Sequence, residues 1–164
     1  MADPLVAVVG FGANLGDRLG AMRAALGEIA RVARVERTSR VYETAPVGVT
    51  GQPDFLNAAA LVAFPGSAEE LLDVLLAVEA RLGRVRDPAS RWGPRAIDLD
   101  LLWARGLTVR SPRLDVPHPR LKERAFALVP LLEVAPGAVD PETGRAYAVP
   151  PGEVRPTGDT LAGA

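Results

Sequence analysis

The order in which strand-like and helix-like patterns follow one another constrains the fold of this chain more than any other feature. Two segments have the apolar spacing typical of amphipathic helices, one beginning at Asp17 and one covering residues 67–83, where Ser67 and Glu70 match a capping box. Other segments predict strands: an apolar, β-branched segment at 5–12, an alternating segment at 35–44, and apolar segments at 55–64 and 96–103. The order strand–helix–strand–strand–helix–strand predicts an α+β fold, with a ferredoxin-like antiparallel sheet flanked by helices in a three-layer α/β/α sandwich.

The other segments are shorter or richer in Gly and Pro. They predict a short strand at 107–109, a helix near 121–133, and two long loops at 45–54 and 84–95. Long loops inside compact domains are often binding segments. With 164 residues in total, we expect a single domain over residues 1–149 and a loose C-terminal tail over 150–164.

The composition excludes several partners and sites. A formal net charge of −1 gives no reason to expect binding to nucleic acid or to an acidic membrane surface. The sequence has no cysteine, so a disulfide or thiolate-metal site is excluded. The N-terminal apolar run is too short for a signal peptide or a membrane span, and no apolar stripe marks a subunit interface. We therefore expect a cytoplasmic monomer that binds small molecules.

Asp98 and Asp100 occupy alternate positions in a segment that otherwise reads as a buried strand. Because side chains alternate across a strand, both carboxylates should point to one face. An unpaired carboxylate on a mostly buried strand costs several kcal/mol, so a cation should face the pair. An arginine or a metal ion would satisfy this requirement.

The segment directly before this strand, residues 81–95, contains five arginines and one aspartate. Guanidinium groups match phosphate oxygens with two hydrogen bonds each, and carboxylates are the ligands that Mg²⁺ prefers. Together they indicate a site for a polyphosphate–magnesium complex. The alternative is structural, in which Arg91 and Arg95 form ion pairs with the two aspartates and the other arginines are solvated.

Other sequence features exclude two classes of enzyme. The sequence contains no GxxxxGK motif, which excludes a P-loop kinase, and its single histidine, His118, leaves no basis for a Ser–His–acid triad. His118 lies between two prolines, as either a structural turn residue or a contact to a nucleotide.

The segment RWGPRAIDLDLL, residues 91–102, closely resembles the diagnostic motif of the hydroxymethyl-dihydropterin pyrophosphokinase family of folate biosynthesis. Three further segments are similar to the family in the same order: GANLGDR (12–18), YETAPVG with QPDFLNA (42–58), and VPHPRLKERAFALVPLLEVAP (116–136). The resemblance implies that ATP gives its terminal pyrophosphate to the hydroxymethyl group of 6-hydroxymethyl-7,8-dihydropterin and that AMP is released.

The resemblance also implies residue roles. Two Mg²⁺ ions bound with ATP would be held by Asp98 and Asp100, and the catalytic arginines would be Arg84 and Arg95. ATP would contact Glu79, Arg86, Arg91, Leu101, Arg113, His118 and Arg124. The pterin would contact Thr44, Ala45, Val47, Phe55, Asn57, Trp92 and Phe126. Phe55 and Phe126 fit ordinary core packing equally well, whereas a buried amide at Asn57 needs hydrogen-bond partners.

Two other classes of function stay open at this point. A nucleotide- or RNA-binding module on a ferredoxin-like sheet would need exposed aromatic residues beside basic ones on the sheet face. A two-metal phosphohydrolase would need more ligands than two carboxylates. Aromatic residues make up only 5% of the chain, which favours the pyrophosphokinase over the RNA-binding module.

Overall fold

The structure is a computed structural model that describes residues 3–45, 54–82 and 96–163. Its strands are β1 (Leu5–Ala13), β2 (Arg34–Thr38), β3 (Arg40–Thr44), β4 (Phe55–Phe64), β5 (Asp98–Ala104), β6 (Val109–Arg110), β7 (Asp115–Val116) and β8 (Arg155–Thr160). Its helices are α1 (Arg18–Ile29), α2 (Ala68–Arg81) and α3 (Ala125–Val134), and one 3₁₀ turn covers Leu121–Glu123. The expected helix near 121–133 is thus a 3₁₀ turn followed by α3, and the expected strand at 107–109 is β6.

The main sheet has the strand order β5-β1-β4-β3-β8, and its pairs are antiparallel. β2 pairs with the second half of β4, whereas β3 pairs with the first half, so both lie along one edge of β4. The segment at 35–44, expected to be one strand, is therefore divided between β2 and β3. β6 and β7 form a separate two-stranded sheet.

Helices cover both faces of the sheet, so the predicted three-layer α+β architecture is confirmed. On one face, a larger core joins the sheet to α1 and α2, with Met22 and Leu75 as representative helix residues. On the other face, a smaller core joins the sheet to α3 through residues such as Leu128 and Leu131. Glu133 fastens α3 to β3, because its carboxylate accepts the Arg40 backbone N–H at 2.8 Å and also accepts the Tyr42 hydroxyl.

Side-chain caps explain where the first two helices begin. The Asp17 carboxylate accepts the backbone N–H of Gly20 at 3.0 Å, directly before α1. Before α2, the Ser67 hydroxyl accepts the Glu70 N–H at 3.1 Å, and the Glu70 carboxylate accepts the Ser67 N–H at 3.0 Å. The predicted capping box is confirmed, and two otherwise unpaired helix N–H groups are satisfied by it. In the described residues, no helix is both long enough and apolar enough to span a membrane.

The C-terminal segment corrects the expectation of a loose tail over 150–164. Residues Arg155–Thr160 form β8 against β3, and Leu161 is fully buried in the larger core, with its N–H bonded to the Ser39 carbonyl at 3.0 Å. Polar side chains, Pro156 and Gly158 hide the strand pattern in the sequence. This segment therefore belongs to the main sheet rather than lying outside the domain.

Replacing Leu161 should measure how firmly β8 is attached. Leu161→Ala should lower the free energy of unfolding by about 2–4 kcal/mol, because it leaves a cavity in the larger core. Val149→Ala, at a 47% exposed position in the same part of the chain, should change it by less than about 0.5 kcal/mol. Urea unfolding followed by circular dichroism measures both, and equal small losses would mean that the segment is only loosely attached.

Candidate active site

Asp98 and Asp100 both lie on the α3 side of β5. Leu99 and Leu101 alternate with them and belong to the larger core, whereas Leu102, two positions beyond Asp100, belongs to the smaller core under α3. Both aspartates are half-buried. The alternation in the sequence therefore produces one apolar face that anchors the strand and one acidic face on the α3 side.

A single row of the sheet brings Asp98 close to Asn57. Gly12 of β1 pairs with Asp98 on one side and with Asn57 on the other, so the two polar side chains share a face. A Cβ at Gly12 would lie 3.8 Å from Asn57 Oδ1 and 4.0 Å from the Asp98 Cβ. Because glycine has no side chain, no Cβ lies between the amide and the carboxylate. Gly12 was not among the predicted site residues, although a glycine inside a strand often marks a close approach.

The Asn57 amide is held in place by Thr44. Asn57 is 7% exposed, and its Nδ2 donates to the Thr44 Oγ1 at 2.8 Å. Phe55 is half-buried and pairs with Thr44, so these three residues share the face that carries Gly12. The structure thus brings together three of the predicted pterin-binding residues. Ala45 follows Thr44 at an exposed position.

The segment before α3 adds a histidine and a cation to this side of the sheet. The His118 N–H donates to the Leu102 carbonyl at 2.8 Å, which fastens the histidine segment to β5 two residues beyond Asp100. Nearby, the Arg124 guanidinium lies 5.7 Å from the centre of the Phe126 ring, in cation–π geometry. Phe126 itself packs against the smaller core.

The neutral form of His118 is favoured, and its tautomer is defined. The Arg120 N–H donates to His118 Nδ1 at 3.2 Å, so the proton of the neutral ring lies on Nε2. Burial lowers the pKa of His118 and the charges of Arg124 and Arg120 lower it further, while Asp115 and Asp98 oppose the effect. Nε2 is therefore a hydrogen-bond donor for an oxygen placed beside it.

Glu79 reaches β5 from the opposite side. It lies on α2, is 2% exposed, and its carboxylate accepts the Leu99 N–H at 2.8 Å. Leu99 lies between the two aspartates, so this hydrogen bond fixes the strand where the acidic face begins. A buried carboxylate is stable only when its hydrogen bonds are satisfied. The predicted contact of Glu79 with ATP stays a prediction.

Two further predicted ATP contacts lie near the edge formed by β5. The Leu101 side chain is buried in the larger core, so only its main chain could face a ligand. Arg113 pairs with Asp73 of α2, and this carboxylate raises the pKa of the guanidinium. Asp73 is a neighbour that sequence reasoning missed, because the pairing depends on how α2 packs. The remaining predicted site residues lie outside the described residues and stay predictions: Val47, Arg84, Arg86, Arg91, Trp92 and Arg95.

The donor set at Asp98 and Asp100 fits Mg²⁺ bound together with a phosphate. Within residues 3–45, 54–82 and 96–163, no group of three or more His, Cys, Asp or Glu residues could hold a metal ion. Mg²⁺ is commonly bound by one or two carboxylates, with water and substrate phosphate completing the octahedron. A pair of carboxylates therefore suits Mg²⁺ better than a metal that needs a cage of protein ligands.

Comparison with known proteins assigns this arrangement to a family. Residues 8–136 match the model of 7,8-dihydro-6-hydroxymethylpterin-pyrophosphokinase (HPPK). The chain belongs to this family. It is 43% identical over 141 residues to the 2-amino-4-hydroxy-6-hydroxymethyldihydropteridine pyrophosphokinase of Synechocystis, covering 85% of this chain and 71% of that protein. It is 44% identical over 135 residues to the protein of the same name from Methylorubrum extorquens, covering 81% and 84%.

Solved structures agree with this HPPK fold. A crystal structure of HPPK-DHPS in complex with substrates superposes with a TM-score of 0.70 at 13% identity, over 90% of this chain and 42% of that one. Plasmodium falciparum HPPK-DHPS gives a TM-score of 0.69 at 13% identity, over 88% and 44%. The chain thus spans less than half the length of these HPPK-DHPS chains, and at such low identity the likeness concerns the fold.

The two glycines of β1 offer a matched pair of substitutions. Gly12→Ala should fold normally, because the new Cβ meets only ordinary contacts, but it should weaken binding of 6-hydroxymethyl-7,8-dihydropterin on the order of tenfold by filling the space beside Asn57. Gly10→Ala should instead lower the free energy of unfolding by about 1–3 kcal/mol, since its Cβ would lie 2.8 Å from buried Leu102 Cδ1. Thermal unfolding and isothermal titration of the pterin separate these effects. Unchanged pterin affinity in Gly12→Ala would contradict binding of the pterin beside Asn57.

Because His118 is the only histidine, its titration is directly observable by NMR. We expect the midpoint below 6.5 in the wild type, since burial and two arginines disfavour the charged ring. Arg124→Ala should raise the midpoint toward 6.5 by removing the larger of the two arginine effects. Arg105→Ala, an exposed cation elsewhere, should leave it unchanged. A midpoint above 6.5 in the wild type would contradict this environment.

Proposed function

We propose that this chain transfers pyrophosphate from ATP to the hydroxymethyl group of 6-hydroxymethyl-7,8-dihydropterin, releasing AMP, as a step of folate biosynthesis. The observation that carries the proposal is the row of Asp98, Gly12 and Asn57 in a member of the HPPK family. This row has a carboxylate that could bind a metal ion at one end and a fixed amide at the other. A phosphate-bearing substrate and a polar heterocycle could thus meet across Gly12.

The pterin side of the site would be formed by β3, β4 and the start of α3. The Asn57 amide, oriented by Thr44, offers an oxygen to the space beside Gly12. A flat heterocycle binds well where one or two fixed polar groups meet its edge and aromatic rings meet its faces. We infer that Phe55 and Phe126 supply the rings, with Ala45, Val47 and Trp92 completing the surroundings.

The nucleotide side would be formed by β5 and the histidine segment. We infer that Asp98 and Asp100 hold two Mg²⁺ ions, which when bound neutralise phosphate charge and orient the phosphates. His118 Nε2 would donate to a phosphate oxygen, and Arg124 would add positive charge. The predicted contacts from Arg84, Arg86, Arg91 and Arg95 would supply further guanidinium groups. Arg113 would leave its ion pair with Asp73 and bind a phosphate instead. Glu79 would hold β5 in position.

The product AMP identifies the bonds that change. The substrate hydroxymethyl oxygen forms a bond to the β-phosphorus and loses its proton to solvent. The bond from that phosphorus to the oxygen bridging to the α-phosphate breaks, with the electron pair leaving on AMP. Such a transfer needs alignment and charge neutralisation more than covalent help from the protein. The amide and the carboxylates share one face of the sheet and would contribute alignment. The neutralising charge would come from the Mg²⁺ ions and the arginines.

The rival RNA-binding module is not favoured, because no aromatic residue in the described part of the chain is exposed, and Phe55 and Phe126 are half-buried. Tyr42 and Trp103 lie on the α3 side of the sheet, but they are 4% and 3% exposed and packed beneath α3. A single-strand-binding sheet needs exposed rings on which bases can stack. A monomeric state, a cytoplasmic location and the absence of a nucleic-acid partner stay predictions.

The test is to incubate the purified protein with ATP and Mg²⁺, with or without 6-hydroxymethyl-7,8-dihydropterin, and to separate the nucleotides by chromatography. AMP should form only when the pterin is present. Asp98→Asn keeps the shape of the side chain but removes its charge, so turnover should fall at least about 100-fold. Asp159→Asn, at an exposed position of β8, should leave turnover unchanged. ADP as the product, or full activity in Asp98→Asn, would contradict the proposal.

A further inference from the structure

Arg155, the first residue of β8, lies against carboxylates at the ends of two other strands, β3 and β4. Its Nη2 lies 2.9 Å from Asp54 Oδ2 and 3.5 Å from Glu43 Oε1. Its Nη1 also lies 3.2 Å from the carboxylate of Glu153, two residues earlier in the chain. Glu43 is near the end of β3, and Asp54 directly precedes β4.

A second arginine contacts the same two acidic residues. Arg18, the first residue of α1, donates from Nη1 to the Asp54 carbonyl at 2.7 Å, and the same nitrogen lies 3.4 Å from Glu43 Oε2. Arg18, Glu43, Asp54 and Arg155, which we call the strand-end cluster, thus connect α1, β3, β4 and β8. Two cations and two anions meet in it, and Glu153 adds a third carboxylate at Arg155 Nη1.

The strand-end cluster lies next to the proposed pterin-binding residues in sequence but not on their face of the sheet. Glu43 precedes Thr44 and pairs with Leu56 of the larger core, whereas Thr44 pairs with Phe55. Since neighbouring residues in a strand point to opposite faces, the cluster acts through the main chain. It fixes the two strand ends that carry Thr44 and Phe55.

β8 does not depend on Arg155 for its own attachment. Leu161 is buried in the larger core, and the Thr157 hydroxyl donates to the Val41 carbonyl at 3.0 Å. A substitution at Arg155 should therefore leave the strand in place and remove only its ion pairs. Arg155 also lies outside residues 8–136, the part of the chain that matches the family model.

We propose that Arg155 is a positioning residue that sets the geometry of the pterin-binding residues Thr44, Phe55 and Asn57 through Glu43 and Asp54. This inference rests on the proposed function. Among the strands of the main sheet, β8 and β5 lie at opposite ends of the order, so the nucleotide side should be unaffected. Because Arg155 is half-exposed and its ion pairs are partly screened, we expect a change of about three- to tenfold in the pterin KM.

Steady-state kinetics of two variants test the proposal. Arg155→Ala should raise the KM for the pterin three- to tenfold, on the order expected for a lost ion-pair network, while the KM for ATP and kcat stay within about twofold. Arg155→Lys keeps the positive charge but loses the second nitrogen of the planar guanidinium, which meets Glu153 while Nη2 meets Asp54 and Glu43, so it should lie in between. The matched control is Arg34→Ala, which removes an exposed arginine paired locally with Glu36 at 2.6 Å on β2. It should change neither KM.

Two measurements that need no turnover accompany the kinetics. Hydrogen exchange of Arg155→Ala should accelerate at residues 43–45 and 54–57 and stay unchanged in β1 and β5. The midpoint of thermal unfolding should move by only a few degrees, as expected for half-exposed ion pairs.

Salt dependence gives a further kinetic test. High salt should raise the pterin KM of the wild type toward that of Arg155→Ala, because salt screens half-exposed pairs.

The outcomes separate this inference from the proposed function. A wild type that forms AMP with pterin but an Arg155→Ala variant with an unchanged pterin KM would overturn the positioning role. Equal losses in both KM values and in kcat would also overturn it, since they indicate a general loss of structure. If the wild type forms no AMP, the proposed function fails, and the exchange rates at 43–45 and 54–57 still decide whether Arg155 positions these strand ends.

Discussion

The pairing of β1 with β4 on one side and with β5 on the other is the constraint on which the rest of the structure depends. β1 pairs with β4 along its whole length, and it pairs with β5 over residues 7–12, which include both glycines. Because β1 pairs with both strands, the Asn57 amide of β4 and the Asp98 carboxylate of β5 lie in the same row of the sheet. It also explains why β1 carries glycine at these positions, since larger side chains would meet Leu102 or fill the space beside Asn57.

The two faces of the sheet have different roles: one carries the larger apolar core, and the other carries the polar residues of the candidate site. The larger core under α1 and α2 is apolar and continuous, and its one buried carboxylate from α2, Glu79, is used to hold the main chain of β5. The smaller core under α3 is apolar around Leu128 and Leu131, and polar groups lie on the same face beyond it. Because the acidic strand is anchored by leucines from behind, its two carboxylates can share a face without the strand having to bury them completely.

The extent to which the sequence predicts this structure depends on how local each signal is. The strand at 55–64 and the capping box at Ser67 were predictable because apolar patterns and cap spacings act over a few residues. The acidic face of β5 was also predictable, since alternation alone places Asp98 and Asp100 together.

Features that depend on long-range pairing were not predictable from the sequence. The role of Gly12 follows from the register of three strands, and the attachment of β8 follows from a single apolar residue, Leu161, in a polar segment. One partner of Arg155, Asp54, lies 101 positions away in the chain. All but one of the 19 basic residues are arginines, so residue type gave no indication of which of them would meet these carboxylates.

The hydrogen bond from the Arg120 amide to His118 Nδ1 has a consequence for how the imidazole responds to acid. In the neutral ring Nε2 carries the proton, and in the charged ring Nε2 carries it as well. Protonation therefore occurs on the nitrogen that faces the backbone and does not change the donor on the other side of the ring. A phosphate oxygen beside Nε2 would meet an N–H group in either state, so acidification adds charge there without reversing the direction of the hydrogen bond.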